Sequence, residues 1–166
     1  MSKFPMPLLA AASVFALSTT ARAATDNDSA NFLKAAIQGD NSEIMLGKMA
    51  VNNPTASPAV KRYGQLLIKD HTEHLQKAQA LAQANGIKAP DGPTMGADTE
   101  SAKLHLLKGD AFDKEFTQYM MSDHQKDIGD FKKEAARSDG DISKFAQESL
   151  PTLRKHLDQA LDLEKR

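Results

Sequence analysis

Apolar residues recur at spacings of three and four along most of the chain beyond residue 28, and strand-like alternation is absent. That period predicts amphipathic helices. The first helix is expected over about 28–51, with Phe32, Leu33, Ala36, Ile37, Ile44, Leu46 and Ala50 on one stripe. Asn52-Asn53-Pro54 stops it. The second begins at Ser57-Pro58, a capping hydroxyl followed by proline in the first turn. It ends at Asn85-Gly86. Its inward stripe is Val60, Tyr63, Leu67, His71, His74, Ala78 and Leu81, an apolar seam with histidines at its centre. A third long helix is expected over about 110–137, with Phe112, Phe116, Met120, His124, Ile128, Phe131 and Ala135 inward. Asp139-Gly140-Asp141 forms a turn. A fourth follows over about 141–163, with Ile142, Phe145, Leu150, Leu153, Leu157 and Leu161 inward. Pro151 lies inside it and is expected to kink it or open one backbone bond.

The connection from Ile87 to Gly109 is long. Pro90, Gly92, Pro93 and Gly96 make its first part irregular, and 98–107 is expected to form a short helix. Two helical hairpins joined by a connection of this length have the layout of a ferritin-like four-helix bundle. The crossover runs the length of the bundle and makes the second and third long helices parallel. A plain up-down bundle needs only a short loop there. A weak internal repeat agrees with two hairpins. Val60–Ala78 aligns with Ile142–Ala160 at a constant offset, pairing Tyr63 with Phe145 and His74 with His156. Two amphipathic helices also match to this extent by composition alone.

Not all of the 166 residues are expected in the fold. Met1–Ala23 reads as a secretory leader: Lys3, an apolar run over 6–17, and Ala21-Arg22-Ala23 as a cleavage pattern. The apolar run is too short to span a bilayer. The reading implies a periplasmic or secreted protein. Removing 23 residues leaves 143, a size suited to one domain. The remaining 19 basic against 22 acidic residues give a net charge of −3, with no basic stripe for nucleic acid. Cysteine is absent, so disulfides and lipid attachment at a cysteine are excluded. The core must be built from Leu, Ala, Ile, Met and a few Phe.

Chemistry can sit where polar residues interrupt the inward stripes. Helix midpoints fall near 40, 71, 123 and 152. His71 and His124 are at theirs, Glu43 is three residues past its own, and His156 about four. Those offsets are about 5 Å at the helical rise. In the crossover arrangement Glu43 and His156 shift the same way and stay level with the other two. In an up-down bundle they would diverge by about 10 Å. One carboxylate and three imidazoles converging from four helices suit a metal ion. The competing reading is a set of satisfied core histidines with a structural salt bridge. His74 is a reserve candidate ligand, and His105 reads as a surface residue. Met45, Met49, Met120 and Met121 raise copper as a thought, but methionine at helical spacing is usually core.

The stretches "FLKAAIQGDNSEIMLGKMA", "KDHTEH", "FDKEFTQYMMSDHQKDI" and "LPTLRKHLDQA" resemble the landmarks of a bacterial exported family, domain of unknown function 4142. The resemblance covers about 26–163. Its pattern falls on Glu43, Asp70-His71, Phe112-Asp113 with His124, and Leu150-Pro151 through His156. It implies a ferritin-like helical fold and no particular activity. His74 lies outside that pattern.

Di-iron members of the ferritin-like class use Glu-x-x-His motifs, and none occurs in this chain. A carboxylate-rich di-iron centre is therefore not expected. A histidine-rich site suits zinc or copper. Nucleophile-elbow, phosphate-loop and dinucleotide motifs are also missing. The sequence therefore predicts an exported helical bundle that binds a transition metal through Glu43, His71, His124 and His156. The alternative is a structural or interaction module of the cell envelope, with no metal, whose cluster only orders the core. A metal-dependent enzyme is the least supported reading.

Overall fold

The computed structural model describes residues 26–137 and 140–165. The expected leader lies outside them, as does Asp139 of the expected turn. Five helices follow one another: α1 (Asn27–Asn52), α2 (Pro58–Ala84), α3 (Met95–Leu104), α4 (Asp110–Ala135) and α5 (Asp141–Glu164). Among the described residues no helix is long and apolar enough to cross a membrane.

Local chemistry sets the ends. The Asp26 carboxylate accepts the Ser29 amide at 2.8 Å to cap α1. Ser57 caps α2 through the Val60 amide, with Pro58 in the first turn. Gly86 closes α2 in the left-handed region at φ 67°. Thr94 accepts the Ala97 amide, so α3 starts at Met95, three residues before its expected start. Pro151, which has no N–H to donate, is accommodated without ending α5.

Contacts between helix ends fix the topology. The Ser57 amide donates to the Asp113 carboxylate at 3.1 Å, so α2 and α4 begin at the same end of the bundle and run parallel. Arg137, just past α4, pairs with Asp26 and Asp28 at the start of α1, each at 3.1 Å. Hence α1 and α4 are antiparallel. The connection from 85 to 109 is therefore the long crossover of a ferritin-like bundle, and α3 rides on it against α1 and α4.

The apolar core is in two parts. One joins Leu33, Ile37, Ala78, Phe131, Phe145 and Leu153. The other joins Leu46, Leu67, Phe112, Phe116, Met120 and Ala160. Between them each long helix inserts polar side chains into its own stripe: Asp40 and Glu43 on α1, His71 on α2, His124 on α4, and His156 on α5. All five are buried. Met120 is in the second core, and Met45, Met49 and Met121 pack at its edge. Ile44, expected inward, is only half-buried because Glu43 takes the inward position beside it.

Gly47 and Gly64 bring α1 and α2 together. A Cβ at Gly64 would lie 2.8 Å from the Gly47 carbonyl, and one at Gly47 would lie 2.9 Å from the Gly64 carbonyl. Neither backbone can move aside cheaply. Alanine gains roughly 0.5–1 kcal/mol over glycine inside a helix, but overpacking costs about 1–3 kcal/mol. Gly64→Ala is therefore expected to destabilise the protein by about 1–2 kcal/mol in urea unfolding. A stabilised variant would show that the hairpin is looser than this.

Candidate metal centre

Each inward imidazole has one nitrogen turned outward to an acceptor and one turned toward the bundle axis. His71 Nδ1–H donates to Asp40 Oδ1 at 2.8 Å. His124 Nδ1–H donates to the Met120 carbonyl one turn earlier, at 2.9 Å. His156 Nε2–H donates to Asp70 Oδ2 at 3.0 Å. A carbonyl and an ionised carboxylate only accept, so each outer nitrogen carries the proton. The inner nitrogens are then His71 Nε2, His124 Nε2 and His156 Nδ1. His156 Nδ1 lies 3.2 Å from each of the other two. Lone pairs facing one another at that distance repel unless a cation or a proton lies between them.

Glu43 closes the fourth side. Its Oε1 is 3.1 Å from His124 Nε2, and its Oε2 is 2.8 Å from His71 Nδ1. The His71 N–H is aimed at Asp40, however, and Oε2 lies off its axis. Among the described residues neither Glu43 oxygen has a hydrogen-bond partner. A buried carboxylate without one is costly. Its compensation is electrostatic. Burial pushes the carboxyl up, but the charge of His71 and the imidazoles of His124 and His156 override it and bring it down to about 2. Burial pulls His71 down, but the Glu43 carboxylate and the bond to Asp40 override that and push it up to about 10. Without metal, the centre therefore holds Glu43 as an anion and His71 as a cation. Burial and the positive charge of His71 depress His156 to about 4. Burial also lowers His124. Those two imidazoles are neutral near pH 7.

The donor set fits a transition metal. Donors held at about 2.0–2.1 Å around one ion lie about 2.8–3.4 Å apart along adjacent edges. The inner nitrogens and Glu43 Oε1 already stand 3.1–3.2 Å apart where they neighbour one another. Asp40, Asp70 and the Met120 carbonyl play the outer role that orients ligating imidazoles in metal sites. A groove of about 310 Å³ between α2 and α5, lined by Asp70, His71 and His74, leads toward the layer from solvent.

The structure thus brings three of the five residues singled out in the sequence, His71, His124 and His156, into one donor group, with Glu43 beside it, 3.1 Å from His124 Nε2 and 2.8 Å from His71 Nδ1. His74 is outside that group and falls in another, with Asp40 and His71. That side chain turns the other way, with Nδ1 2.8 Å from both Asp40 oxygens, Nε2 2.8 Å from Ser149 Oγ, and its ring stacked on Phe145. Both ring nitrogens are committed, so its place is beside the layer. The internal repeat does not extend to the site either: His156 is in the cluster and its match His74 is outside. His105 is exposed, as expected. Sequence reasoning missed Asp40, whose signal was its three-residue spacing from Glu43 on the same helical face. It also missed Asp123 and Asp127, one turn apart on α4, which lie within 4.8 Å of Glu43.

A model of the protein family described as Domain of unknown function (DUF4142) matches residues 14–163. No curated protein matches the chain in sequence. Two solved structures share its shape. CopM in the Cu(II)-bound form has a TM-score of 0.69 at 15% identity, covering 82% of this chain and 95% of that one. CopM in the Cu(I)-bound form has a TM-score of 0.68 at 15% identity, covering 85% and 97%. At that identity the likeness is one of fold.

Proposed function

We propose that this chain, which belongs to the family described as Domain of unknown function (DUF4142), binds one copper ion between Glu43, His71, His124 and His156. The observation that carries the reading is the set of three imidazoles whose outer nitrogens are each held by an acceptor, leaving three inner nitrogens converging beside a carboxylate without a hydrogen-bond partner among the described residues. Nitrogen-rich sites of this kind suit copper or zinc, and copper(II) is the tighter binder of the two in a given site. The copper-bound state of structures with the same fold supports copper over zinc. The leader-like start of the chain supports a periplasmic or secreted setting, and a role in envelope metal handling or stress tolerance.

The test is a copper(II) titration of the wild-type chain beside the His71→Ala, His124→Ala double variant, read by visible absorption and by competition with a chelator. Zinc is titrated in parallel. One equivalent bound by the wild type and none by the variant is expected. If the wild type binds neither metal more tightly than about micromolar, the reading fails.

The affinity should depend on pH with a definite sign. His71 carries a proton in the metal-free protein up to about pH 10 and must lose it to ligate. Acid therefore competes with the metal. Between about pH 5 and 9 the affinity is expected to rise about tenfold per pH unit. Below about pH 4 the slope steepens, because His156 is then protonated as well. A Glu43→Gln variant removes the main charge holding that proton and should flatten the slope. An affinity independent of pH over this range would exclude His71 as a ligand.

A second reading rests on one observation. The bonds Asp40–His71–His156–Asp70 form a continuous chain from the buried layer to the rim of the α2–α5 groove. It is consistent with a cluster that only orders the core and shares protons. In that case the double variant loses stability, while wild type and variant alike take up no metal.

A further inference from the structure

Glu43 also belongs to a second group of donors. We infer that Glu43, Asp123 and Asp127 form a second cation site, all of oxygen, that takes a hard divalent ion such as manganese(II) and shares Glu43 with the histidine centre. Their carboxylate oxygens lie within 4.8 Å of one another. Glu43 is 1% exposed, and neither of its oxygens has a hydrogen-bond partner among the described residues. Asp127 has one nearby cation, Lys126 Nζ at 3.7 Å, on a side chain that is itself mostly exposed. Exposed pairs of that kind contribute little. Three carboxylates this close repel one another; His71 is the cation set against Glu43, and among the described residues the only ion pair of Asp123 or Asp127 is that with Lys126.

Access is independent of the histidine side. Asp123 and Asp127 line a groove of about 360 Å³ between α1 and α4, whose wall also includes Gly39, Ser42 and Thr94. The α2–α5 groove that reaches His71 is a separate opening. At Gly39 an added Cβ would stand 3.6 Å from Asp127 Oδ2, so the missing side chain leaves room beside that carboxylate. The donor chemistry selects the ion. Carboxylates alone suit magnesium, calcium and manganese, whereas imidazoles suit copper and zinc. Glu43 thereby neighbours a nitrogen donor group and belongs to an oxygen one. The inference holds whichever metal the histidines bind.

Manganese(II) is a suitable probe, because the free aqueous ion has a six-line electron paramagnetic resonance signal that is lost on binding. The full chain is titrated with Mn(II) alone. Wild type is expected to bind one equivalent. Asp123→Asn, Asp127→Asn should weaken Mn(II) binding more than tenfold and leave copper binding in place. Asp127→Asn alone should weaken it in the same direction if the double variant does not fold. His156→Ala keeps all three carboxylates and should retain Mn(II) while losing copper. The inference is overturned if wild type takes up no Mn(II) at millimolar concentration. It is equally overturned if the asparagine variants bind Mn(II) as wild type does, or if His156→Ala abolishes Mn(II) binding. Failure of copper binding with Mn(II) binding intact would instead count against the copper reading alone.

Discussion

The His156→Ala variant is expected to bind copper(II) more than about a hundredfold more weakly than wild type, a loss above about 2.7 kcal/mol. His156 is the hub of the inner nitrogens, with Nδ1 3.2 Å from both His71 Nε2 and His124 Nε2. Its removal leaves three donors and opens a void between the two apolar cores. A supporting group that only orients a ligand costs about tenfold to a hundredfold when lost, so a ligand itself should exceed that range. Asp70→Ala supplies the comparison. It leaves all four donors in place and removes only the acceptor that holds His156 Nε2–H. Its affinity should fall within the tenfold to hundredfold range. Competition against a chelator of known affinity measures both. Equal losses in the two variants, or no loss in His156→Ala, would mean that His156 is not a ligand.

Asp40→Ala is expected to cost about 3–5 kcal/mol of folding stability in the metal-free protein, the range for removing one partner of a buried ion pair. Asp40 accepts Nδ1–H of His71 and also stands 2.8 Å from His74 Nδ1. Its loss leaves two imidazoles short of a partner, one of them a buried cation. Against total stabilities of about 5–15 kcal/mol this is a large fraction. The pH dependence follows from the raised value of His71. A group whose value is raised on folding stabilises fully below its unfolded value, near 6.5, and that contribution is lost as pH rises through about 10. The cost of Asp40→Ala should therefore be larger at pH 6.5 than at pH 10.5. Urea unfolding at both pH values checks it. A cost below about 1 kcal/mol at pH 6.5 would mean that Asp40 is not the partner holding the His71 charge.

Much of the fold could be read in advance because helices are local. Ser57-Pro58, Asn85-Gly86 and the three-and-four spacing of Phe112, Phe116 and Met120 speak about neighbours within one turn. The crossover was legible from its length. The common depth of Glu43, His71, His124 and His156 was legible too, because rise per residue converts residue counts into height once the directions of the helices are known. His74 was harder to place. It lies three residues from His71 on the same stripe, and only the position of Phe145 and Ser149 on α5 turns it out of the layer. Asp123 and Asp127 flank His124 and read as solvated charges until α1 sets Glu43 against them.

The sequence by itself determined which residues form helices, where the helices stop, and that four polar side chains interrupt four apolar stripes. Those features depend on contacts a few residues apart. The tertiary structure decided which nitrogen of each imidazole faces inward, which acids hold the outer protons, and that Glu43 meets both the imidazoles and the α4 aspartates. Each of those depends on an acceptor or a charge supplied mostly by another helix: Asp40 for His71, Asp70 for His156, and Glu43 for both Asp123 and Asp127. A hydrogen bond is set within about 3 Å and a narrow angle, and spacing along one helix cannot specify that across a bundle.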